Sequence, residues 1–292
     1  MHTTTHIAPH ELDNTDDPAF ADPFFARQRQ RPATYRLTDE IEREYLFPTF
    51  YGDVTTAAAV FGADLTAARS LVRDRLGPGV RPVCLDRRRA AVAVAAYDYR
   101  SVRQIPPYHE MAVVIPVQVG GRWHPPLLPL LLQRRFGSFG HLVVDMPVTS
   151  RENQLRGNRI WNLPKTTRRV DIAQDADALV ATAFGEDGAP YLQLRVPTRT
   201  GTTAHSESSV WIYSRLDGAL VRSRSRLSGD LAKHTSLRPP RAGRQTASAA
   251  IGDGAEAATL RTLGIDGPPL HWYHGSGLSS SFDLPTSSPS RS

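Results

Sequence analysis

The chain has 292 residues, 40% of them hydrophobic and 22% charged, enough to bury the core of one large or two small globular domains. Its one cysteine, Cys84, excludes an internal disulfide. The net charge of +6 points toward nucleic acid, but the arginines are dispersed and no zinc finger, helix-turn-helix or RNA-binding aromatic motif accompanies them, so no nucleic-acid partner is predicted.

Neither end of the sequence carries the pattern of a core element. The beginning is polar and acidic and lacks the apolar stretch of a signal peptide, and the longest apolar run, at 125–132, is far shorter than a membrane span. We therefore expect a cytoplasmic protein without a membrane partner. Residues 1–30 show no apolar periodicity, which predicts an irregular N-terminal arm. The Ser- and Pro-rich end predicts a disordered tail over 286–292.

Between these ends, residues 31–285 read as a single domain with few helices. The segment 65–76 predicts a helix, because its apolar residues recur on one stripe, Asp64 precedes it as an N-cap and Gly77 follows it. A second helix is predicted near 254–265, after a long loop rich in Arg, Pro and Ala.

Strands dominate the rest of the predicted domain. Short runs rich in Val or small apolar residues, bounded by turn residues, predict strands at 90–99, 110–119, 140–148, 168–174 and 177–184. Turn residues at Gly185–Gly188 and at Asp217–Gly218 predict two hairpins. The pattern indicates one α+β domain that is mainly β and contains two sheets.

Several common functional motifs are missing. His271 and His274 lie three residues apart in an aromatic segment that favours a strand, where they point to opposite faces, so no metal site is predicted. The sequence has no serine-hydrolase elbow, phosphate loop or dinucleotide fingerprint, and no cofactor is expected. Arg222, Arg224 and Arg226 alternate onto one face of a predicted strand, which indicates either a solvated face or anion recognition inside a barrel.

The segment at 106–121 predicts a strand over 108–117 with a carboxylate among apolar residues. Met111, Val113, Ile115 and Val117 fall on one of its faces, and the other face carries Tyr108, Glu110, Ala112 and Val114. A buried carboxylate there needs a partner or a proton. The alternative is an edge strand with Glu110 in solvent.

The segment at 156–170 contains Lys165, one of only two lysines in the chain; the other is Lys233. A lysine amine can lose its proton when desolvated and attack a carbonyl, which an arginine cannot do, although two lysines could also reflect arginine-rich codon usage. Pro164 favours extended backbone, which would place Trp161, Leu163 and Lys165 on one face. Such surroundings would lower the pKa of the Lys165 amine, and a fall of about 3–4 units makes its neutral form a major species at pH 7.

These two segments together resemble the acetoacetate decarboxylase superfamily. The similarity lies in a Y-x-E strand followed, about fifty residues later, by a G-x-x-x-x-x-x-P-K element, matched here by Tyr108, Glu110, Gly157, Pro164 and Lys165. The resemblance implies a cone-shaped β-barrel with flanking antiparallel sheets, and a lysine that forms a Schiff base with a keto substrate.

The sequence also departs from the family pattern. Thr166 stands where the family has a second lysine, and Asn158-Arg159 stand in place of Arg-Glu. The family's second carboxylate would fall near Val92, where only Val and Ala occur, and its substrate-side arginine would fall in the segment at 51–60, which contains none. We therefore expect acetoacetate to be a poor substrate, and secondary metabolism to be the setting.

The resemblance implies a lyase of the decarboxylase, aldolase or dehydratase type that acts on a keto acid through a lysine imine. Lys165 is the candidate nucleophile and Glu110 the candidate proton-transfer group. The candidates for substrate contact are Arg159, Tyr108, Trp161 and Gln118, with Arg159 on the substrate carboxylate. A homo-oligomer is expected. Two alternatives remain open: a non-catalytic β-barrel that binds small molecules, and a nucleic-acid-binding protein.

Overall fold

The long strands of the chain close into a barrel. In the computed structural model, the described residues are 12–120, 125–199, 201–235 and 246–288. Their strands β1–β16 are Arg31–Arg36, Glu42–Phe47, Thr49–Asp64, Val80–Pro82, Arg89–Val102, Tyr108–Val119, Phe139–Val148, Lys165–Thr167, Val170–Gln174, Ala178–Phe184, Pro190–Pro197, Thr202–Leu216, Ala219–Thr235, Ser248–Ile251, Asp266–Phe282 and Thr286–Ser287. Helices α1–α5 are Pro23–Ala26, Leu65–Leu76, Leu128–Leu131, Arg151–Trp161 and Ala258–Leu263. None of the helices in these ranges has the length and apolar character needed to cross a membrane.

The barrel contains seven strands in the order β6-β5-β3-β15-β13-β12-β7, closed by antiparallel pairing of β7 with β6. Strand β3 pairs with β15, so residues near the beginning and the end of the chain are neighbours. The short strands β4 and β8 extend the sheet beside β6 and β7. The prediction of a mainly β α+β fold with a β-barrel and flanking antiparallel sheets is confirmed.

The two faces of the barrel strands pack against different elements. Met111, Val113, Ile115 and Val117 belong to a core shared with α2, α5 and the four-stranded sheet β14-β11-β10-β9. A sheet of that size lies outside a seven-stranded barrel, so this face is the outer one, and the alternate side chains point inward. The predicted division of the β6 side chains between two faces is confirmed, and Glu110 lies on the inner face of a central strand.

Helix α2 has the limits that its caps predict. The Asp64 carboxylate accepts a hydrogen bond from the Ala67 backbone N–H at 2.7 Å, and Gly77 ends the helix with a φ of 94°. The second predicted helix is also present, as a 3₁₀ turn at Ala255–Ala257 that continues into α5. The predicted loop before it lies partly outside the described residues, but it is wrong for Ser248–Ile251, which form β14 against β11.

The prediction of an irregular arm over 1–30 is wrong for the residues that the structure describes. Phe20, Phe24 and Phe25 are buried and pack with Phe50 of β3, with 4.7 Å between the ring centroids of Phe25 and Phe50. The sequence gives little sign of this cluster, because its phenylalanines lie on two helical turns too short for periodicity to show. The predicted boundary at residue 31 therefore divides a packed unit.

The predicted disordered tail is also partly wrong. Thr286–Ser287 form β16, which pairs with Val221 and Arg222 of β13, while 289–292 lie outside the described residues. The arginine stripe on β13 is engaged within the chain. The guanidinium carbons of Arg222 and Arg224 lie 4.0 and 4.3 Å from the ring centroid of Trp211, and Arg226 forms a salt bridge of 2.7 Å with Asp283.

Asp145 of β7 joins the barrel to the flanking sheet and makes stability depend on pH. Its carboxylate accepts a hydrogen bond of 3.0 Å from the Tyr191 hydroxyl, and burial raises its pKa from 3.8 to about 6. The folded protein therefore binds this proton more tightly than the unfolded chain, and stability falls as the pH rises through about 6.

We expect the Asp145→Asn variant to unfold at a higher temperature than wild type above pH 7. The substitution removes the buried charge, whose cost is up to about 3 kcal/mol for a shift of roughly two pKa units. Below pH 4 the wild-type carboxyl is protonated as well, so the difference should shrink toward zero. Thermal unfolding followed by circular dichroism at both pH values measures it. An equal difference at the two pH values would contradict the assignment to Asp145.

Candidate active site

The barrel interior holds an ion pair between an amine and a carboxylate that are both almost inaccessible. The Lys165 Nζ lies 2.6 Å from the Glu110 Oε2, and only 6% and 4% of the two side chains are exposed. Lys165 begins β8, which runs parallel to β7, and Glu110 lies on β6 on the other side of β7. Of the two interpretations of Glu110, the structure shows a buried, paired carboxylate and not a solvated one.

Helix α4, which precedes Lys165 in the chain, also positions the Lys165 amine. Its N-cap is Ser150, whose hydroxyl accepts a hydrogen bond from the Asn153 backbone N–H at 3.2 Å. At its other end Asn162 adopts the left-handed conformation, and Pro164 then directs the chain into β8. The predicted extended segment through Trp161 is therefore wrong, because Trp161 is the last residue of a helix. The strand begins only at Lys165.

The backbone of α4 comes unusually close to the Lys165 side chain at Gly157. A Cβ atom added at Gly157 would lie 2.9 Å from the Lys165 Cε and closer still to its Cδ. The aliphatic stem of the lysine therefore lies directly against the helix, and a glycine at this position leaves room for it. Both Gly157 and Lys165 belong to the pattern that indicated the family.

We expect Gly157→Ala to damage the site without unfolding the protein. The added methyl group displaces the flexible Lys165 stem and moves the amine from Glu110, while alanine is favoured over glycine in a helix by about 1 kcal/mol. Reaction of Lys165 with a carbonyl compound should fall at least about tenfold, with an unchanged or higher Tm. Borohydride trapping and thermal unfolding measure the two effects. A large loss of Tm would show that Gly157 is needed for folding rather than for placing the amine.

The surroundings of Lys165 make its amine easier to deprotonate than that of an exposed lysine. Burial lowers the pKa of Lys165, and the nearby positive charge of Arg156 lowers it further. The Glu110 carboxylate acts in the opposite direction, but the effect of burial is the larger. Lys233, by contrast, is exposed and donates a hydrogen bond of 2.7 Å to the Ser206 hydroxyl. Of the two lysines, Lys165 alone combines a buried amine with a carboxylate in contact.

Arg156 is a buried cation that the sequence patterns did not indicate. Its side chain is fully inaccessible, its guanidinium carbon lies 4.3 Å from the Tyr45 ring centroid, and its Nη2 donates to the Thr49 hydroxyl at 3.0 Å. Its Nε and Nη1 have no hydrogen-bond partner among the described residues, and neither has the Nδ2 of Asn153. Since the Asn153 Oδ1 lies 3.2 Å from the Lys165 Nζ, these unpartnered donors are close to the amine.

Glu152, one helical turn before Arg156, forms its hydrogen bonds with residues other than Arg156. Glu152 is buried and accepts hydrogen bonds from the Tyr45 hydroxyl at 2.6 Å and from the Arg43 Nη1 at 3.1 Å. Glu110, the other buried carboxylate near Arg156, contacts Lys165. The N–H groups on two nitrogens of the buried Arg156 guanidinium are therefore available to an acceptor such as a carboxylate.

Several solved structures share this fold. An acetoacetate decarboxylase from Legionella pneumophila superposes with a TM-score of 0.56 over 97% of this chain and 98% of its own, at 12% identity. The chain has the acetoacetate decarboxylase fold. An acetoacetate decarboxylase-like enzyme from Sphingomonas wittichii RW1 gives a TM-score of 0.51 over 97% of this chain and 100% of its own, at 12% identity.

A third structure with the acetoacetate decarboxylase fold contains a bound product. It is the enduracididine biosynthesis enzyme MppR with the condensation product of pyruvate and imidazole 4-carboxaldehyde, at a TM-score of 0.52 and 11% identity, over 81% of this chain and 87% of its own. No family model and no curated protein sequence matches the chain. These identities make the chain a divergent example of the acetoacetate decarboxylase fold, as the sequence resemblance predicts.

The structure brings some of the predicted substrate-contact residues to Lys165 and separates others from it. Tyr108 is fully buried, with its ring centroid 5.7 Å from the Lys165 Nζ, and Trp161 is buried against Phe282. Arg159 is exposed on α4, and its Nε donates to the backbone oxygen of Leu37 at 3.3 Å. Arg159 therefore lies on the exposed side of the helix, and the structure does not bring it to the Lys165 amine.

Two further positions singled out in the sequence lie away from the Lys165 amine. Gln118 is buried, but it lies eight residues from Glu110 along β6, paired with Arg81 of β4 and Phe139 of β7 at the far end of the strand. Val92 faces the outer core, so it is not an inward position where a second carboxylate could act. The inward residues of β5 near it include Ala93 and Ala95, which carry no charge either.

Proposed function

We propose that the protein is a lyase that acts on a keto acid through an imine on Lys165. The contact between the buried Lys165 amine and Glu110 carries this proposal, because a desolvated amine beside a proton acceptor is the arrangement that nucleophilic attack on a carbonyl requires. Acetoacetate decarboxylase is itself the standard example of a lysine activated in this way, so the mechanism is carried over from the enzymes that share the fold.

The first chemical step uses the proton shared by the pair. Transfer of a proton from the Lys165 Nζ to the Glu110 Oε2 gives a neutral amine and a neutral carboxyl group. The amine attacks the carbonyl carbon of the substrate and forms a C–N bond. Proton transfer through Glu110 to the former carbonyl oxygen then lets it leave as water, which yields a protonated imine.

The protonated imine withdraws electrons from the bond beside it. Loss of CO2, cleavage or formation of a C–C bond, and loss of water can each follow, because each uses the imine nitrogen to hold the electron pair. We assign the substrate carboxylate to the Arg156 guanidinium, in place of the predicted Arg159, with the Asn153 amide as a further donor. The bound carboxylate would neutralise the positive charge of Arg156.

Reductive trapping tests the proposal. Pyruvate or acetoacetate with sodium borohydride should attach covalently to the peptide that contains Lys165 and leave the peptide that contains Lys233 unmodified, as mass spectrometry would show. Lys233 is the matched control, since it is the only other lysine and is exposed. Modification of Lys233 alone, or of neither lysine by any of a panel of keto acids, would favour a non-catalytic binding barrel.

A further inference from the structure

The barrel wall divides where the two neighbours along one edge of β7 diverge. β7 pairs with β12 through residues 140–142 and with β8 through residues 146–148, both in parallel, while β6 occupies its other edge. β12 and β8 therefore follow each other along the same edge of β7, and residues 143–145 lie between them. A cleft of about 370 Å³ is located at this division, a volume typical of small-molecule sites.

This cleft, which we name the wall cleft, is lined by residues of several elements. β7 contributes Leu142 and Val143, and β12 contributes residues 213–215. The other described lining residues belong to the C-terminal ends of α2 and α4 and to the two positions before Lys165. Lys165 and Glu110 are not among the described residues that line it, so a ligand in the wall cleft and a substrate on Lys165 occupy different places.

The polar side chains of the wall cleft are hydrogen-bond donors with few partners in the chain. Arg75 donates from Nη1 to the backbone oxygen of Val144 at 3.1 Å, and Arg215 donates from Nη2 to a backbone oxygen of the turn that follows it. The Asn158 amide and the Ser214 hydroxyl form no hydrogen bond with the described residues. Most N–H groups of the two guanidinium groups, and the donors of the amide and the hydroxyl, are therefore available to a ligand.

The wall cleft is positively charged. In the part of the chain that the structure describes, neither Arg75 nor Arg215 forms a salt bridge, and the cleft lining includes no Asp or Glu. Asp145, which Arg75 influences electrostatically, is bound by Tyr191 instead. The Arg215 Nη1 is close to the end of α2, because a Cβ atom added at Gly77 would lie 3.1 Å from it. Each of the two helix ends at the cleft carries about half a negative charge, which the two arginines exceed.

The buried part of the lining is apolar. Leu76 of α2, Leu142 of β7 and Leu163 line the wall cleft and are buried, and the buried ring of Tyr213 lies beside the same space. An apolar surface with a few polar groups placed around it is the usual construction of a site for a small organic ligand. A ligand that fits has an apolar body for the leucines and an anionic group for the arginines.

We propose that the wall cleft binds an organic phosphate monoester, with its phosphate between Arg75 and Arg215 and its apolar body against the leucines. A phosphate monoester has close to two negative charges at pH 8 and three oxygens that accept hydrogen bonds from several directions. This suits a site with two guanidinium groups, an amide and a hydroxyl, whereas a planar carboxylate has one charge and two oxygens. The site does not depend on imine chemistry at Lys165.

Calorimetric titration of the full-length protein at pH 8 tests the site with phenyl phosphate, inorganic phosphate and benzoate. Phenyl phosphate should bind at least about tenfold more tightly than either of the others, because inorganic phosphate lacks the apolar body and benzoate lacks the second charge. Benzoate that bound as tightly as phenyl phosphate would overturn the assignment of a phosphate. Inorganic phosphate that bound as tightly would overturn the assignment of an apolar body.

Variants of the arginines locate the bound phosphate. Arg75→Met and Arg215→Met, which keep an unbranched side chain, should each weaken the binding of phenyl phosphate at least about tenfold. Arg73→Met, at an exposed arginine of α2 outside the cleft lining, is the matched control and should leave the affinity unchanged. Thermal unfolding checks Arg75→Met, since Arg75 also bonds Val144, and the exposed Arg215 lacks that contact.

Two results would place the phosphate elsewhere. An equal loss of affinity in Arg73→Met would indicate attraction to the general positive charge of the chain. A loss in Lys165→Arg would place the ligand at the imine lysine, and either result overturns the proposal. Unchanged binding in Lys165→Arg together with weaker binding in Arg75→Met and Arg215→Met supports the wall cleft, whether or not Lys165 is trapped by keto acids.

Discussion

Replacement of Lys165 by arginine is expected to abolish imine formation and turnover while the protein remains folded. Arginine keeps the positive charge beside Glu110 but has no amine that can lose its proton and attack a carbonyl carbon. Loss of a nucleophile costs several orders of magnitude in kcat, and we expect at least about a 10⁴-fold fall here. Borohydride trapping should give no adduct at position 165, and Lys233→Arg should leave both trapping and turnover unchanged.

A second variant at position 165 distinguishes loss of the amine from loss of the folded structure. Circular dichroism and thermal unfolding establish whether Lys165→Arg is folded, since the larger guanidinium must fit against Gly157. Lys165→Met, which is unbranched and neutral, removes the amine without adding volume. Turnover that persists in either folded variant would exclude an imine mechanism and leave only the fold assignment.

Replacement of Glu110 by glutamine is expected to slow imine formation and turnover, and to shift the pH dependence of trapping. The amide cannot carry the proton between the amine, the departing water and the product carbon, so kcat should fall by about 10²–10⁴-fold. The Glu110 carboxylate also raises the pKa of Lys165, so its removal lowers that pKa further. The acidic limb of the pH profile for trapping should therefore move to lower pH in Glu110→Gln.

The shift of the acidic limb distinguishes a role of Glu110 in proton transfer from a purely structural role. A variant whose Glu110→Gln change only loosened the barrel would lose trapping and turnover together, with no shift of the acidic limb. Trapping with pyruvate between pH 5 and 9, alongside steady-state kinetics, distinguishes the two results. An acidic limb that moves to higher pH would contradict the geometry, because it would mean that Glu110 does not stabilise the protonated amine.

The β-rich fold and the two residues Lys165 and Glu110 could be predicted from local patterns, whereas the barrel was implied by the family resemblance. Alternation along β6 placed Met111 and Glu110 on opposite faces, and the structure shows those faces as the outer core and the interior. The rarity of lysine in an arginine-rich chain distinguished Lys165 as a candidate for chemistry. What alternation could not supply was the partner of Glu110, because a contact across 55 residues depends on how the strands close.

Helix α4 was missed because its buried face is polar. The residues that it buries include Glu152, Asn153 and Arg156, and a search for apolar periodicity counts such residues as exposed. The capping signals were present nevertheless: Ser150 precedes the first turn, and Pro164 follows the last one closely. These capping signals predict the helix. On that helix Arg156 shares a side with Glu152 and Asn153, and Arg159 lies outside that buried set.

The pairing of β3 with β15 affects how the protein can be made in the cell. β3 ends at Asp64 and β15 begins at Asp266, so the ribosome synthesises about two hundred residues between the two partners. Until β15 emerges, one edge of β3 has unpaired backbone groups in a segment rich in Ala, Val and Thr, the kind of edge that pairs with other chains. A chaperone that shields this edge until β15 is synthesised should therefore increase the yield of native protein.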